Sequence, residues 1–427
     1  MSSLDRQNLI ITPEKKGARE FLKVSYPIRY GCYGEIKTGE YVFQFNRNGE
    51  IKFIETRAPR GFDQEGWLKR TLGNDWVFYS PGSYGEVYDL YGQHYFPFLP
   101  YPSNALQDRN PFEEEGVRSG LEAWRRLRKG ITGSIPTGIG REEADFLSRV
   151  AAQDEERLAA RARKFHRLTG GPVSVLPPDA RHVDYEVIPL IVADGCSYHC
   201  RFCRVKSGQD FAARSPQEID RQIEGLRVFL DRDLSNYNAV FLGNHDALRV
   251  EADSLKRAAE KAYDRFELDR SYMKGVYLFL FGSVDSFLEA KEALFEGLNQ
   301  LPFYLYLNLG LESVDQETLE RIGKPVEAGK VREAFEKMLA INRRYERVEV
   351  SGNFVLGEDL PQNHLLSLVE MVSRRPKGQA AKGTLYLSPM VEGPLGEIKR
   401  RRTFLRQFHI VKSASFLPVY LYLIQRL

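Results

Sequence analysis

Cysteine is scarce in this sequence, at four in 427 residues. That is far too few for a secreted scaffold stapled by disulfides. Long apolar runs are missing too: no stretch approaches the roughly 18 residues that a membrane-spanning helix needs. The opening residues, "MSSLDRQNLIITPEKKGARE", lack a sustained apolar segment followed by a small-residue cleavage site, so no secretory signal is expected and a cytoplasmic location follows by default. Charge of one sign is not in excess, since 61 Lys and Arg against 58 Asp and Glu leave a net +3. Global charge therefore argues for neither a nucleic-acid nor a membrane partner. The sequence shows no internal repeat and no low-complexity segment.

What is present is an ordinary globular composition, 42% apolar and 28% charged, on a chain long enough for two or three units. Three units are expected. Residues 1–175 read as an accessory region, β-rich to about 105 and helical after it. "GEYVFQFNRNGEIKFIET" carries two short strand-like runs around Asn48-Gly49, a hairpin signal. The Tyr-, Phe-, Gly- and Pro-rich segment Asp75–Pro102 suits a packed aromatic module or a wall over a substrate. "PFEEEGVRSGLEAWRRLRKG" and "GREEADFLSRVAAQDEERLAARARKFHRLTG" show helical spacing.

Residues 176–395 alternate apolar strand-like runs with helical patterns, the signature of a parallel α/β unit. Six strand candidates predict a partial (β/α)6 TIM-like barrel, whose chemistry would gather at the carboxyl ends of its strands. Between the first two, Ser215, Pro216 and Glu218 form a capping-box signature. Residues 396–427 read as a basic and apolar helical tail that docks as an amphipathic helix, and it is the one segment suited to weak surface association. The basic runs at 125–130, 156–167 and 399–412 read mainly as solvated helix faces.

Three of the four cysteines fall within "GCSYHCRFC", at Cys196, Cys200 and Cys203, directly after the first strand candidate of the α/β unit. Spacings of four and three on a loop let three thiolates converge on one inorganic centre. A four-iron cubane takes one ligand per iron, so three thiolates leave one iron open to a small molecule. Structural zinc normally needs four ligands; His199 is the nearest extra group and Cys32 lies more than 160 residues away. A zinc site, and an iron-sulfur interaction protein without catalysis, remain as alternatives.

The CxxxCxxC pattern in "CSYHCRFC" resembles the hallmark of the radical S-adenosylmethionine (radical SAM) enzymes. The resemblance implies a [4Fe-4S] cluster held by Cys196, Cys200 and Cys203, with S-adenosylmethionine chelating the open iron. It further implies reductive cleavage of that cofactor to a 5'-deoxyadenosyl radical that abstracts hydrogen from a substrate, with electrons from a partner such as flavodoxin or ferredoxin. Phe202 occupies the family's aromatic position beside the last thiolate. "FLGNHDAL" resembles the loop that binds the cofactor's amino group, which puts Gly243 and Asp246 forward as contacts; Asn244 and His245 stand where Asp and Gly are more usual. "NLGLESVDQETLERIGKP" is similar to a family segment in which Glu312 would reach the cofactor, with Lys324 nearby. Ser351 and Asn353, on the fifth strand candidate, would meet the ribose or adenine. Cys32 is expected to be an incidental buried thiol.

Overall fold

The protein is described from a computed structural model, which covers residues 9–21, 29–57, 67–81, 93–97, 111–133, 138–183, 186–203, 209–374, 382–390, 398–422 and 427. Strands β1 (Ile10–Lys16), β2 (Cys32–Lys37), β3 (Tyr41–Phe45), β4 (Ile51–Thr56), β5 (Trp67–Arg70), β6 (Trp76–Pro81) and β7 (Gln93–Pro97) form one sheet in sequence order, each antiparallel to the next. Between β3 and β4 the chain turns through Asn48-Gly49. Asn46 Oδ1 accepts from the backbone N–H groups of Asn48 and Glu50, and Gly49 takes the left-handed φ of 81° that the turn requires. Apart from Asp75, β6 and β7, the aromatic segment Asp75–Pro102 lies outside the described residues.

Helices α1 (Glu115–Gly133) and α2 (Arg141–Ala151) cover one face of this sheet, where Phe43 and Phe45 pack against Trp124 and Phe45 against Phe146. Helix α3 (Glu155–Thr169) is capped by Asp154 at its start and ends on Gly170 in the left-handed conformation. Its Phe165 stacks on Phe229 of the following unit, so α3 bridges the two. The sheet's other face meets the α/β unit through buried charge. Lys52 and Lys69 both reach Glu186, at 2.6 and 3.4 Å, and Asn236 exchanges two hydrogen bonds with the backbone of Cys32.

The second unit begins with β8 (Ile188–Leu190) and a short antiparallel pair, β9 (Ala193–Asp194) with β10 (Ala212–Ala213). Then follow α4 (Pro216–Leu230), β11 (Ala239–Asp246), α5 (Ala252–Arg265), β12 (Tyr277–Gly282), α6 (Val284–Glu289), α7 (Glu292–Gln300), β13 (Tyr304–Glu312), α8 (Gln316–Arg321), α9 (Ala328–Arg344), β14 (Val348–Leu356), α10 (Gln362–Ser373), β15 (Leu385–Pro389), α11 (Ile398–Ala414) and β16 (Val419–Leu421). Ser215 caps α4 by accepting from Glu218 N, and the Glu218 carboxylate accepts from Ser215 N at 2.8 Å. Strands β8 and β11 to β16 form one parallel sheet in sequence order.

That sheet has seven strands among the described residues, not six. The reading of 396–427 as a purely helical tail is corrected with it: α11 is a helix, but Val419–Leu421 pairs with β15 as the last strand. Three residues are too few to show a periodicity of their own, and the pairing that makes them a strand is tertiary. No helix among the described residues is long and apolar enough to cross a membrane.

Alternation along the strands separates two environments. On β13, Leu305, Leu307, Leu309 and Leu311 are buried toward the helices, while Tyr306, Asn308, Gly310 and Glu312 take the opposite face. The segment before β8 runs across the amino ends of the strands. His182 stacks on Tyr306, and Asp179 accepts from Ser351 of β14 and Tyr386 of β15. The same segment closes the gap between first and last strands, where Leu176 O accepts from the Tyr422 hydroxyl and Val173 O from Leu427 N.

Candidate functional site

A cavity of about 610 Å³ opens at the carboxyl ends of the parallel strands. One wall is the cysteine loop, and its closure begins at Gly195. There φ is 72°, and a Cβ would lie 2.0 Å from the carbonyl oxygen of Asp210, so the two ends of the loop approach too closely for any side chain. Cys196 N donates to Gln209 O at 3.1 Å across this neck. Beneath it, Arg214 forms a two-point ion pair with Asp194, both contacts at 2.7 Å.

The middle of the loop is held from two sides. The Tyr198 hydroxyl donates to Asp285 Oδ2 at 2.8 Å and accepts from Asp285 N at 3.0 Å, tying it to the first turn of α6. Arg201 donates through Nη2 to the carbonyls of Glu320 and Arg321, each at 2.7 Å, a cation on the negative end of α8. Between these anchors Cys196, Cys200, Phe202 and Cys203 all line the cavity. Burial pushes the Cys200 thiol up to about 11, opposed by the Lys324 ammonium.

Across the cavity, β11 ends in Asn244, His245 and Asp246, all lining it. Gly243, with φ 94°, supplies the turn that delivers them. Asp246 Oδ1 accepts from Ser286 Oγ at 2.7 Å, inside the capping turn of α6. Asn244 Oδ1 is buried and has no hydrogen-bond partner among the described residues, an acceptor that calls for a donor from a ligand. Burial lowers the His245 pKa, with Asp194 opposing, so the ring it offers is neutral.

Glu312 ends β13 at a φ of 65°, a strained conformation for a residue with a Cβ. Its carboxylate stands 3.6 Å from the Lys324 ammonium, and Gly310 leaves room beside both. Burial raises the Glu312 pKa and Lys324 opposes the rise. Asn353 of β14 also lines the cavity, with Phe281, Val355, Met390 and Tyr422 giving apolar area.

Of the residues singled out in the sequence, the structure brings Cys196, Cys200, Phe202, Cys203, Asp246, Glu312 and Asn353 to this one cavity. Ser351 differs. It is fully buried below the cavity, its hydroxyl donating to Asp179. Cys32 is buried in β2 against Asn236. His199 turns to Asp210 at 3.3 Å with an exposed ring, so it is not placed as a fourth ligand for zinc. Val175, Tyr198, Asp285 and Tyr422 escaped the sequence reading, because their roles arise from contacts across the fold.

The donor set fits an iron-sulfur centre in kind, being three thiolates on one loop, and the orphaned Asn244 oxygen fits an ammonium or other donor opposite. As the side chains stand, no three His, Cys, Asp or Glu among the described residues are gathered closely enough to hold a metal ion.

Comparison with known proteins gives a family. Residues 190–372, from β8 through α10, match the radical SAM superfamily model. No curated protein matches the sequence. Among solved structures, the cobalamin-dependent S-adenosylmethionine radical enzyme OxsB, with aqua-cobalamin and S-adenosylmethionine bound, is 12% identical with a TM-score of 0.33, covering 56% of this chain and 32% of its own. The chain thus spans about a third of the OxsB length. A radical SAM methyltransferase from Sphaerobacter thermophilus is 12% identical with a TM-score of 0.35, covering 55% of this chain and 65% of its own. Methylornithine synthase (PylB) is 13% identical with a TM-score of 0.33, covering 66% and 74%. These likenesses are too slight to carry an argument about substrate. The family model and the cysteine loop within its bounds agree: residues 190–372 match the radical SAM superfamily.

Proposed function

We propose that the chain reductively cleaves S-adenosylmethionine at a [4Fe-4S] cluster held by Cys196, Cys200 and Cys203, and that the resulting radical takes a hydrogen atom from a substrate in the same cavity. The observation that carries this reading is the placing of three thiols from one eight-residue stretch on a single cavity wall, facing Asn244–Asp246 and Glu312. Cys196, Cys200 and Cys203 would hold the cluster, which would supply the one electron that reductive cleavage of the sulfonium to methionine and a 5'-deoxyadenosyl radical requires.

The chain's own residues bind and orient. Asp246 and the Asn244 carbonyl accept from the cofactor's ammonium, a donor group matched to acceptor oxygens. Lys324 offers a cation to its carboxylate, and Glu312 accepts from hydroxyl or amino donors. Asn353 meets the nucleoside end. Phe202 and the apolar side chains around Phe281, Val355 and Met390 keep water from a reactive radical. Electrons come from a partner such as flavodoxin or ferredoxin, and a cytoplasmic setting, where thiols stay reduced, goes with this reading. Residues 176–395, completed by the edge strand β16, act as the core of the enzyme, with 1–175 as its accessory region.

Anaerobically reconstituted protein, reduced and given S-adenosylmethionine, should release 5'-deoxyadenosine, and Cys200→Ala protein should release none. Iron-replete, reduced protein that yields no 5'-deoxyadenosine with any reductant would overturn the proposal.

A further inference from the structure

We infer that Asp179, a carboxylate outside the cavity, is a positioning residue that sets which end of the Asn353 amide the cavity presents to a ligand. The inference rests on the proposed function only for the identity of that ligand.

Asp179 lies in the short helical turn Pro178–His182 and is fully buried beneath the strands. Its Oδ2 accepts from Ser351 Oγ at 2.6 Å and its Oδ1 from the Tyr386 hydroxyl at 2.8 Å. Neither hydroxyl is at liberty to reverse. Arg181 Nε donates to the Tyr386 oxygen at 3.0 Å, and Asn308 Nδ2 donates to Ser351 Oγ at 2.9 Å. Each hydroxyl thus receives one hydrogen bond, and its single proton goes to Asp179. Burial raises the Asp179 pKa, and the Ser351 and Tyr386 hydroxyls and Arg181 oppose the rise; with both oxygens taking hydroxyl protons the group acts as an acceptor only, and that one-sidedness is passed upward.

Because Ser351 spends its proton on Asp179, Asn308 must turn its Nδ2 down to the serine and its Oδ1 up. The raised Asn308 Oδ1 accepts from Asn353 Nδ2 at 2.6 Å. One N–H of Asn353 is committed to Asn308 and fixes the amide's orientation, while its Oδ1 receives only a long 3.4 Å contact from Asn308. Asn353 lines the cavity, so a ligand there meets an amide oxygen with accepting capacity to spare. The group that it selects is a hydrogen-bond donor, an amine or a hydroxyl. S-adenosylmethionine carries both on its nucleoside. One polarity thus runs from Asp179 through Ser351 and Asn308 to Asn353, and a carboxylate at its foot is what makes an amide flip at the top unfavourable.

The variant that tests this is Asp179→Asn, nearly the same shape but with one accepting oxygen in place of two. Binding of S-adenosylmethionine to the anaerobic, cluster-loaded protein is measured by equilibrium dialysis, and folding by thermal melting. Affinity should fall by about tenfold, the scale of one misdirected hydrogen bond. In an Asn353→Ala background the same substitution should change affinity no further, since the group it orients is gone. Ser351→Ala cuts the path at a second point and should show the same dependence on Asn353, which keeps the test decisive if Asp179→Asn folds poorly. Unchanged affinity in both variants, or an equal loss with and without Asn353, overturns the relay. Wild-type protein with no affinity for the cofactor overturns the proposed function instead, and the relay's ligand with it.

Discussion

Lys324 stands 3.6 Å from Glu312 with both side chains nearly excluded from solvent, and its ammonium also lies 5.1 Å from the centre of the Tyr198 ring. One cation thus links the end of β13 to the cysteine loop. Burying two charges is costly, and their attraction offsets that cost only while both are present. Glu312 also holds a left-handed φ of 65°, and backbone strain of this kind persists where the surroundings impose it. A pair that is both buried and strained at a cavity wall is better explained by ligand binding than by stability.

The pair gives a way to separate those two roles. Glu312→Gln leaves Lys324 buried without its counter-charge and should lower the unfolding free energy by roughly 3 kcal/mol. Lys324→Met should do the same to Glu312. The double variant removes both charges and should recover most of the loss in urea denaturation. It should still bind S-adenosylmethionine at least tenfold more weakly than wild type. A double variant with restored stability and wild-type affinity would show the pair to be structural only.

Tyr198 is the loop's tie to α6. Tyr198→Phe removes a hydroxyl that both donates to and accepts from Asp285, leaving the Asp285 N–H without that acceptor. The expected cost is about 1 to 2 kcal/mol, concentrated on the loop. Iron retained per chain after gel filtration should drop, and combining the change with Asp285→Asn should add no more than the loss of the exposed Asp285–Lys330 ion pair costs. Additive losses of iron would mean that they act independently.

These contacts mark where the sequence stops being informative. The thiol loop and the Ser215 capping box are local signals, readable from spacing, and the carboxylates closing β11 and β13 stand out only through the family resemblance of the short motifs around them. Asp179 sits in a proline-rich stretch that reads as a linker, and its partner Ser351 is 172 residues away. Tyr198 and Asp285 are 87 apart, and Tyr422 meets Leu176 across 246. No periodicity encodes such meetings; the closing of the sheet creates them. Ser351 and Asn353 lie two residues apart on β14, so the sequence offers both alike as cofactor contacts. The structure separates them by depth, one at the cavity and the other below it.

Asp233 offers a test in solution of the joint between the two units. It is fully buried near Lys52 and Glu186, and it accepts from Asn236 Nδ2 at 2.7 Å and from Arg47 N at 3.3 Å. Burial, with Lys52 opposing and Glu186 adding to it, pushes its carboxyl up to about 6. The folded state then holds this proton more tightly than the unfolded chain does. Its stabilising contribution is complete below the ordinary carboxylate range near 4 and is lost as pH rises through about 6. The stability of wild type relative to Asp233→Asn should therefore decline between pH 4 and about 6.5 and stay level above that. Urea midpoints measured across this range check it, and parallel curves for the two proteins would refute it.

The neck of the cysteine loop gives the most local prediction. Gly195 has a φ of 72°, and a Cβ there would stand 2.0 Å from the Asp210 carbonyl oxygen, so Gly195→Ala must push the two ends of the loop apart. The strain is of order 1 to 3 kcal/mol. Because the loop can open without disturbing the buried sheet, thermal melting should shift little while iron per chain falls well below the wild-type value. Cys32→Ala is the matching control, since Cys32 lies in β2 of the other sheet and does not line the cavity, and its iron content should equal that of wild type. Full iron in Gly195→Ala would mean that the thiols do not depend on closure of the neck, and loss of iron in Cys32→Ala would make that distant thiol a ligand after all.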